Sequence, residues 1–578
     1  MPSFRALLCC IVLLPLAARA EIRVEVAGVS GELKSNAEAY LTIRDEAAKK
    51  DLDQATVERL HRQAGPELRE ALRPFGYYNP FIDAHLEGQA PQWRATYTID
   101  PGPRTTVTRV EIEISGPGAG GFEREQGRMR RRLAEGQPLL HSEYGEAKAL
   151  LSSAAYAKGY LDAHYTLAEL RVKPADNTAE VVLHFETGPQ YRFGEFTIVQ
   201  QEGARRLDDA FLHRYIPIEP GAVYDPQKVL DAQFALVDLG YFDSVEIVPL
   251  RDQAVDQRVP LTINTTPRKS QHYEFGLGYG TDTGARGSVS ADFRQLNAAG
   301  HTLHLETQIS QIKDEAAAEY RIPLGTKAGE LFTITGNLGE QDYDAGTSYL
   351  RGIGIGLART PGQWQRKLYL KYLHENTNFD DDAVIADLVM PGLTLNRAEL
   401  NDSIYTRRGW SLFADVHGAA HNVLSSTSFV QVHAIGKAAW PVLDRSRLLL
   451  RYEYGANWVE DFGRLPASQR FFAGGDESVR GYAYQSLGPE NSADEVIGGS
   501  FLTTFSAELE TPVWNNWGVA VFGDGGGAAD HAAPDLHYGV GAGLRYRSPV
   551  GTIQLDLAHP LDRDESPVRL HFGVRVGL

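Results

Sequence analysis

Val568-Arg569-Leu570-His571-Phe572-Gly573-Val574-Arg575-Val576-Gly577-Leu578 alternates without a break. In an extended chain Val568, Leu570, Phe572, Val574, Val576 and Leu578 share one face, and Arg569, His571, Gly573, Arg575 and Gly577 share the other. Gly551 to Ala558 repeats the rule, with Ile553, Leu555 and Leu557 opposite Thr552, Gln554 and Asp556. An apolar face backed by charges and glycines suits a strand lying between lipid and a polar lumen, the inverse of a soluble barrel.

The same pattern runs outward from there, through Phe501 to Glu510, Leu448 to Trp458 and Leu303 to Ser310. Between Gln271 and Leu578 about 16 such segments fit, at roughly 19 residues per strand and loop, with almost no helix-period pattern. A secreted sandwich or propeller would also alternate, but it would hide its apolar face beneath a second layer, and none is evident. Residues 268–578 therefore read as a 16-stranded antiparallel transmembrane barrel. After residue 20 no stretch approaches the ~18 to 20 apolar residues of a transmembrane helix.

Between two of these strands lies a Gly-rich polar segment holding Val479-Arg480-Gly481-Tyr482. A permanent charge inside a lipid-bounded barrel is costly unless a carboxylate answers it. Asp524 in Phe522-Gly523-Asp524-Gly525-Gly526 is the candidate partner, 44 residues on. Gly481 would let the segment turn, and Tyr482 could pack on the wall.

The first half repeats three times. Pro74-Phe75-Gly76-Tyr77-Tyr78, Ala157-Lys158-Gly159-Tyr160-Leu161 and Asp238-Leu239-Gly240-Tyr241-Phe242 each close a helix-period run, with glycines 83 and 81 residues apart. A glycine there suits a left-handed helix C-terminus. Asp100-Pro101-Gly102-Pro103, Thr187-Gly188-Pro189 and Thr266-Pro267 punctuate the repeat. Each unit reads strand, helix, helix, strand, strand, giving α+β domains at 21–101, 102–188 and 189–267. An exposed sheet edge in such a unit could accept an extended peptide by backbone pairing, or the units could be spacers.

Residues 1–20 read as a signal peptide: Arg5, an apolar run from Ala6 to Leu16, and Ala18-Arg19-Ala20 before Glu21. Cys9 and Cys10 both fall within it, so disulfides are excluded from the mature chain. Of 57 basic residues Arg5 and Arg19 also fall there; the remaining 55 face 75 acidic ones, a formal charge of −20 that speaks against nucleic acid.

The strand-helix-helix-strand-strand order with its Gly-Tyr signature resembles the polypeptide-transport-associated (POTRA) domain. Tandem POTRA units, a barrel, the Val-Arg-Gly-Tyr segment, Ile497-Gly498-Gly499, Glu508-Leu509-Glu510-Thr511-Pro512 and the Phe-x-Asp-x-Gly of Phe522, Asp524 and Gly526 together resemble the BamA/TamA superfamily of outer-membrane insertases. Three units point to its TamA branch. The resemblance implies a loop folded into the barrel with its Arg on the wall Asp. It also implies an outer-membrane location with periplasmic POTRA units, and unfolded outer-membrane proteins, autotransporters included, as substrates. Its implied partner is a TamB-like inner-membrane-anchored periplasmic protein, and no cofactor is implied.

The barrel ends carry the mechanism. Strand one, from Tyr273, places Gly276, Gly278 and Gly280 on one face, leaving little side chain to zip against a last strand holding Phe572 and Leu578. Such a seam could open sideways; alternatively the glycines only make room in the lumen. Leu578 stands where the family usually ends in an aromatic residue.

Other motifs are discounted. Gly116, Gly118 and Gly121 match G-x-G-x-x-G, but Pro117 lacks an amide donor and no parallel strand follows. Asn376, Asn378, Asp380 and Asp382 have calcium-loop spacing without the required Gly and Glu. No metal site or hydrolase motif stands out, so the chain is expected not to be an enzyme. Two classes remain: an insertase working through a lateral seam, and a passive transporter or two-partner-type secretion pore.

Overall fold

The computed structural model describes residues 21–47, 53–89, 92–282, 284–379, 383–443, 445–562 and 568–578. The signal peptide and its cleavage site at Ala18-Arg19-Ala20 lie outside the described residues, as do Asp380 and Asp382 of the calcium-like spacing.

In the first domain the strand Glu21–Ala27 runs parallel to Gln92–Asp100, which pairs antiparallel on its other side with Phe81–Gln89. The helix Gln54–Leu72 starts where Asp53 accepts from the Thr56 amide at 2.8 Å. Val57, Leu60, Ala64, Leu68 and Leu72 recur at helical spacing and are buried against Ile22, Trp93, Tyr97 and Ile99. A turn beyond the helix reaches Gly76, at φ +88°. A Cβ at Gly76 would lie 2.5 Å from the Leu139 carbonyl oxygen, so both conformation and space demand glycine. One element exceeds the expected order: a short helix, Thr42–Glu46, whose Thr42 amide and hydroxyl donate to Glu67 at 3.0 and 2.6 Å.

The second domain repeats the plan with Thr106–Ser115, helices Glu123–Arg132 and His141–Ala157, then His164–Lys173 and Thr178–Glu186. The third does so with Arg192–Gln200, helices Asp209–His213 and Pro226–Asp238, then Phe242–Pro249 and Arg258–Pro267. In all three sheets the last strand sits between the other two; in the second, Thr178–Glu186 runs parallel to Thr106–Ser115, so a parallel strand does follow Gly116, contrary to the sequence reading, and Pro117 alone counts against a dinucleotide loop there. Gly159 and Gly240 take the same left-handed conformation as Gly76, at φ +81° and +77°.

Sixteen strands then form one sheet in sequence order, every neighbour antiparallel and joined along the chain. Strand one is Gln271–Gly280 and strand two Gly284–Phe293; strands ten and eleven are Phe429–Val442 and Ser446–Val459. Strands twelve to sixteen are Phe501–Trp514, Trp517–Ala529, His537–Ser548, Gly551–Pro560 and Arg569–Arg575. Alternation sorts the faces: on strand thirteen Val519 and Val521 are exposed while Ala520, Phe522 and Asp524 are buried. Trp440 and Trp458, near opposite ends of the wall formed by strands ten and eleven, both face out, as anchors at two membrane interfaces would.

The ladder between strands one and two is unbroken, and strand sixteen pairs with strand fifteen from Ala558↔Arg569 to Thr552↔Arg575. Among the described residues no ladder joins strand one to strand sixteen, so the barrel is nearly closed. Leu578 departs from its expected place. Strand sixteen ends at Arg575; beyond it the Gly577 amide donates to the Ile404 carbonyl at 3.0 Å, and the Lys437 ammonium donates to the Leu578 carbonyl at 3.3 Å. A charged lumenal side chain and an open turn carbonyl draw the end of the chain off the outer face.

Candidate functional site

Residues 460–500, between strands eleven and twelve, fold into the lumen, and two buried fastenings to the wall stand out among their contacts. The first fastening needs no charge pair. The Ala467 amide donates to Thr377 Oγ1 at 3.0 Å and the Ser468 amide to Glu375 Oε1 at 2.9 Å, while Gln431 and Asn457 side-chain amides both donate to the Gln469 carbonyl. Glu375 is fully buried, and Ser348 and both groups of Ser468 keep its carboxylate bonded.

The second fastening is the Val479-Arg480-Gly481-Tyr482 tip. Arg480 Nε and Nη2 donate to the two oxygens of Asp524 at 2.7 and 2.9 Å, a bidentate pair, and the Arg480 amide donates to the same carboxylate at 3.1 Å. Nη1 reaches Glu508 at 2.8 Å and Asp556 at 3.0 Å. The guanidinium carbon lies 3.4 Å from the centre of the Phe522 ring. The same pair of extra carboxylates binds Arg545, whose side chain is fully buried, and Arg575 of strand sixteen reaches Glu508 at 3.3 Å. Three guanidinium groups thus face three carboxylates, and every wall strand from twelve to sixteen contributes one member.

Charges this buried are expensive to desolvate, and full pairing is what makes them tolerable. Alternation supplies the members, because Glu508, Asp524, Arg545, Asp556 and Arg575 all stand at lumen-facing positions of their strands. Space comes from strand fourteen. A Cβ at Gly539 would lie 2.0 Å from the Arg480 carbonyl oxygen, and one at Gly541 would lie 2.4 Å from the Phe522 ring. Glycines there form a trough in which loop backbone and wall ring lie close.

The remaining tip residues are packed. Val479 and Tyr482 are buried with Phe471, Leu487 and Leu502, and the Tyr482 hydroxyl donates to Asp562 at 3.1 Å. Gly481 sits at φ +100° with its amide donating to His571 Nε2 at 2.9 Å; a Cβ there would meet the Pro560 nitrogen at 3.0 Å. Gly526 needs space too, since its Cβ would fall 2.4 Å from the Thr503 carbonyl oxygen.

The seam residues are placed differently from one another. Tyr273, Phe275, Leu277 and Tyr279 of strand one point outward and are exposed. Gly276 and Gly278 lie beneath side chains of strand two: a Cβ would stand 2.3 Å from Ser288 Oγ at one and 2.9 Å from Arg286 Nε at the other. These glycines therefore make room for lumenal side chains. Gly280 closes the first hairpin opposite Gly284. Phe572 meets the strand-one side through its amide, which donates to Thr281 Oγ1 at 3.2 Å. Arg545 and Asp556 were not singled out as site residues from the sequence, and Glu508 was quoted only within its Glu-Leu-Glu-Thr-Pro motif and not as a partner of Arg480, although each is a charge on the polar face of an alternating strand.

The chain as a whole has known relatives. The Omp85 superfamily domain matches residues 278–577, and the chain belongs to that superfamily. The POTRA domain described as TamA domain 1 matches residues 23–101, and the POTRA domain described as surface antigen variable number repeat matches 191–268. Outer membrane protein assembly factor BamA of Neisseria meningitidis serogroup B is 22% identical over 508 residues, covering 75% of this chain and 61% of that protein. The BamA of Neorickettsia risticii is 22% identical over 427 residues, covering 67% and 55%. The chain thus spans less than two thirds of either relative. A crystal structure of BamA from Haemophilus ducreyi lacking POTRA domains 1–3 superposes with a TM-score of 0.56 at 16% identity, covering 96% of this chain and 98% of that one. At that identity the likeness is one of fold.

Proposed function

We propose that this chain is an outer-membrane insertase and translocation subunit of the TamA branch, with its POTRA domains in the periplasm. Substrate strands enter at the seam between strands one and sixteen. The observation that carries the reading is the break in an otherwise continuous sixteen-stranded ladder. Free backbone groups at that break can pair with an incoming strand, which keeps its own amides satisfied within lipid. Unfolded outer-membrane proteins, autotransporters among them, are the substrates, received along the sheet edges of the POTRA domains. A TamB-like periplasmic protein is the partner, and the match of the first domain to the TamA-type POTRA supports that branch. No cofactor is required; the lipid itself is the second solvent.

Under this reading Arg480 is a latch and Asp524 its wall partner, holding the loop across the lumen beside the seam. A loop fastened near its start and again at its middle also argues for a poor open pore. The test uses the absence of cysteines after Cys10. Tyr279→Cys with Val574→Cys, two positions along from the Thr281–Phe572 contact, is oxidised in full-length protein in liposomes, and insertion of a barrel substrate is followed. Insertion should fall to background when oxidised and recover on reduction. Undiminished insertion by the cross-linked protein, or steady large single-channel conductance, would favour the passive transporter or two-partner-type pore.

A further inference from the structure

Where strands one and sixteen lack a ladder, the loop supplies the connection. Asp476, four residues before Arg480, receives a hydrogen bond from His571 Nδ1 of strand sixteen. Its own amide donates to Asp282 in the turn after strand one, and Thr281 of that turn donates to its carboxylate at 3.5 Å. Thr281 Oγ1 in turn accepts from the Phe572 amide. One loop residue thus touches both sides of the break.

The ligand atoms of Asp282, Asp476 and His571 lie within 4.8 Å of one another, a set that a divalent cation could use. The imidazole argues otherwise. His571 Nε2 accepts from the Gly481 amide, so Nδ1 carries the ring proton and has no lone pair to give a metal. With a neutral imidazole, the two carboxylates have no cation in contact among the described residues. The charged and titratable groups facing Asp282 are Asp476 and Tyr484 from the loop, and His571 and Arg569 from strand sixteen; Arg286 of strand two lines the same cavity. Arg569 is exposed and weak at this range.

We propose that this junction is a releasable stitch, in which Asp476 ties the turn after strand one to strand sixteen and a single proton on the Asp282 carboxyl decides whether the seam is held or free. Burial first, and then the neighbouring Asp476 carboxylate, push the Asp282 carboxyl up to about 6. In the released state the group returns to its ordinary value near ~4. A raised carboxyl favours the stitched arrangement fully below that ordinary value, and the advantage is lost as pH rises through about 6. Acid therefore holds the seam and neutral pH frees it.

The inference rests on the seam reading only for its consequence, so its test reads the seam directly. Spin labels on Leu277→Cys and Val574→Cys, both outward-facing, report the strand-one to strand-sixteen distance in the full-length protein in liposomes. Between about pH 5 and about pH 7.5 the ratio of short to long distances should fall about tenfold. Asp282→Asn, which keeps the acceptor for the Asp476 amide, should stay short at both; Asp476→Ala should be long at both. A wild-type distribution indifferent to pH, or an Asp282→Asn protein that follows pH as the wild type does, overturns the stitch. If the distances respond as expected but oxidised Tyr279→Cys/Val574→Cys still inserts substrate, the stitch stands and the insertion reading falls. If cross-linking blocks insertion while distances ignore Asp476→Ala, the stitch alone falls.

Discussion

Two parts of one lumen are held in opposite ways. Under the loop tip, five successive strands contribute to a cluster in which three guanidinium groups and three carboxylates saturate one another. At the seam, beside it, two strands meet through one backbone-to-hydroxyl bond and a loop carboxylate. The first region loses much if any member is removed, because the others remain buried and unanswered. The second loses less, because no ladder joins its two strands and each contact across the break is a single hydrogen bond. A barrel built this way keeps its loop and wall rigid while its edge stays cheap to open.

The comparison can be broken first at its strong side. Arg480→Ala should lower barrel stability by about 3–5 kcal/mol, read as the temperature at which the folded band is lost on a gel. Asp524→Ala should cost a similar amount, and the double variant distinctly less than the sum; additive costs would remove the pairing. Next comes the trough. Gly539→Ala forces a Cβ against the Arg480 carbonyl and should cost about 1–3 kcal/mol with new protease cleavage in the loop. Gly523→Ala, on the same wall with open space around it, should change stability by less than about 0.5 kcal/mol and leave the loop resistant. At the seam, Thr281→Val removes the hydroxyl that accepts from the Phe572 amide and donates to Asp476, and should cost about 0.5–1.5 kcal/mol, while the spin-label distance across the break lengthens. A Thr281→Val loss as large as that of Arg480→Ala would erase the contrast.

Much of the fold was legible because alternation is a local signal. Val574 and Arg575 point opposite ways whatever lies beside them, so strand sixteen could be read from its own residues. The helix ends at Gly76, Gly159 and Gly240 were legible for the same reason, since a left-handed C-terminus asks for glycine within a few residues. Thr42–Glu46 was not, because a five-residue helix has too little period to show and is held by the distant Glu67. For the site, Arg480 and Asp524 stood out by residue type and surrounding glycines. Glu508, Arg545 and Asp556 did not, because which lumenal charges meet depends on register between strands dozens of residues apart. Leu578 misled for a related reason: its alternation continues the strand, while Lys437 on the wall and the Ile404 carbonyl in a distant turn hold residues 577 and 578 off that course.

What this chain's sequence determined alone was its periods: three α+β units, sixteen alternating strands, and a charged loop too polar for lipid. Those follow from side-chain order along the backbone, which needs no partner. Tertiary structure decided what closing the sheet brings together. It set three carboxylates around Arg480, turned Gly276 and Gly278 into space for Ser288 and Arg286, and left strand one and strand sixteen bridged by Asp476. Such meetings depend on shear and register around the barrel, a global geometry to which each strand contributes and which none of them encodes by itself.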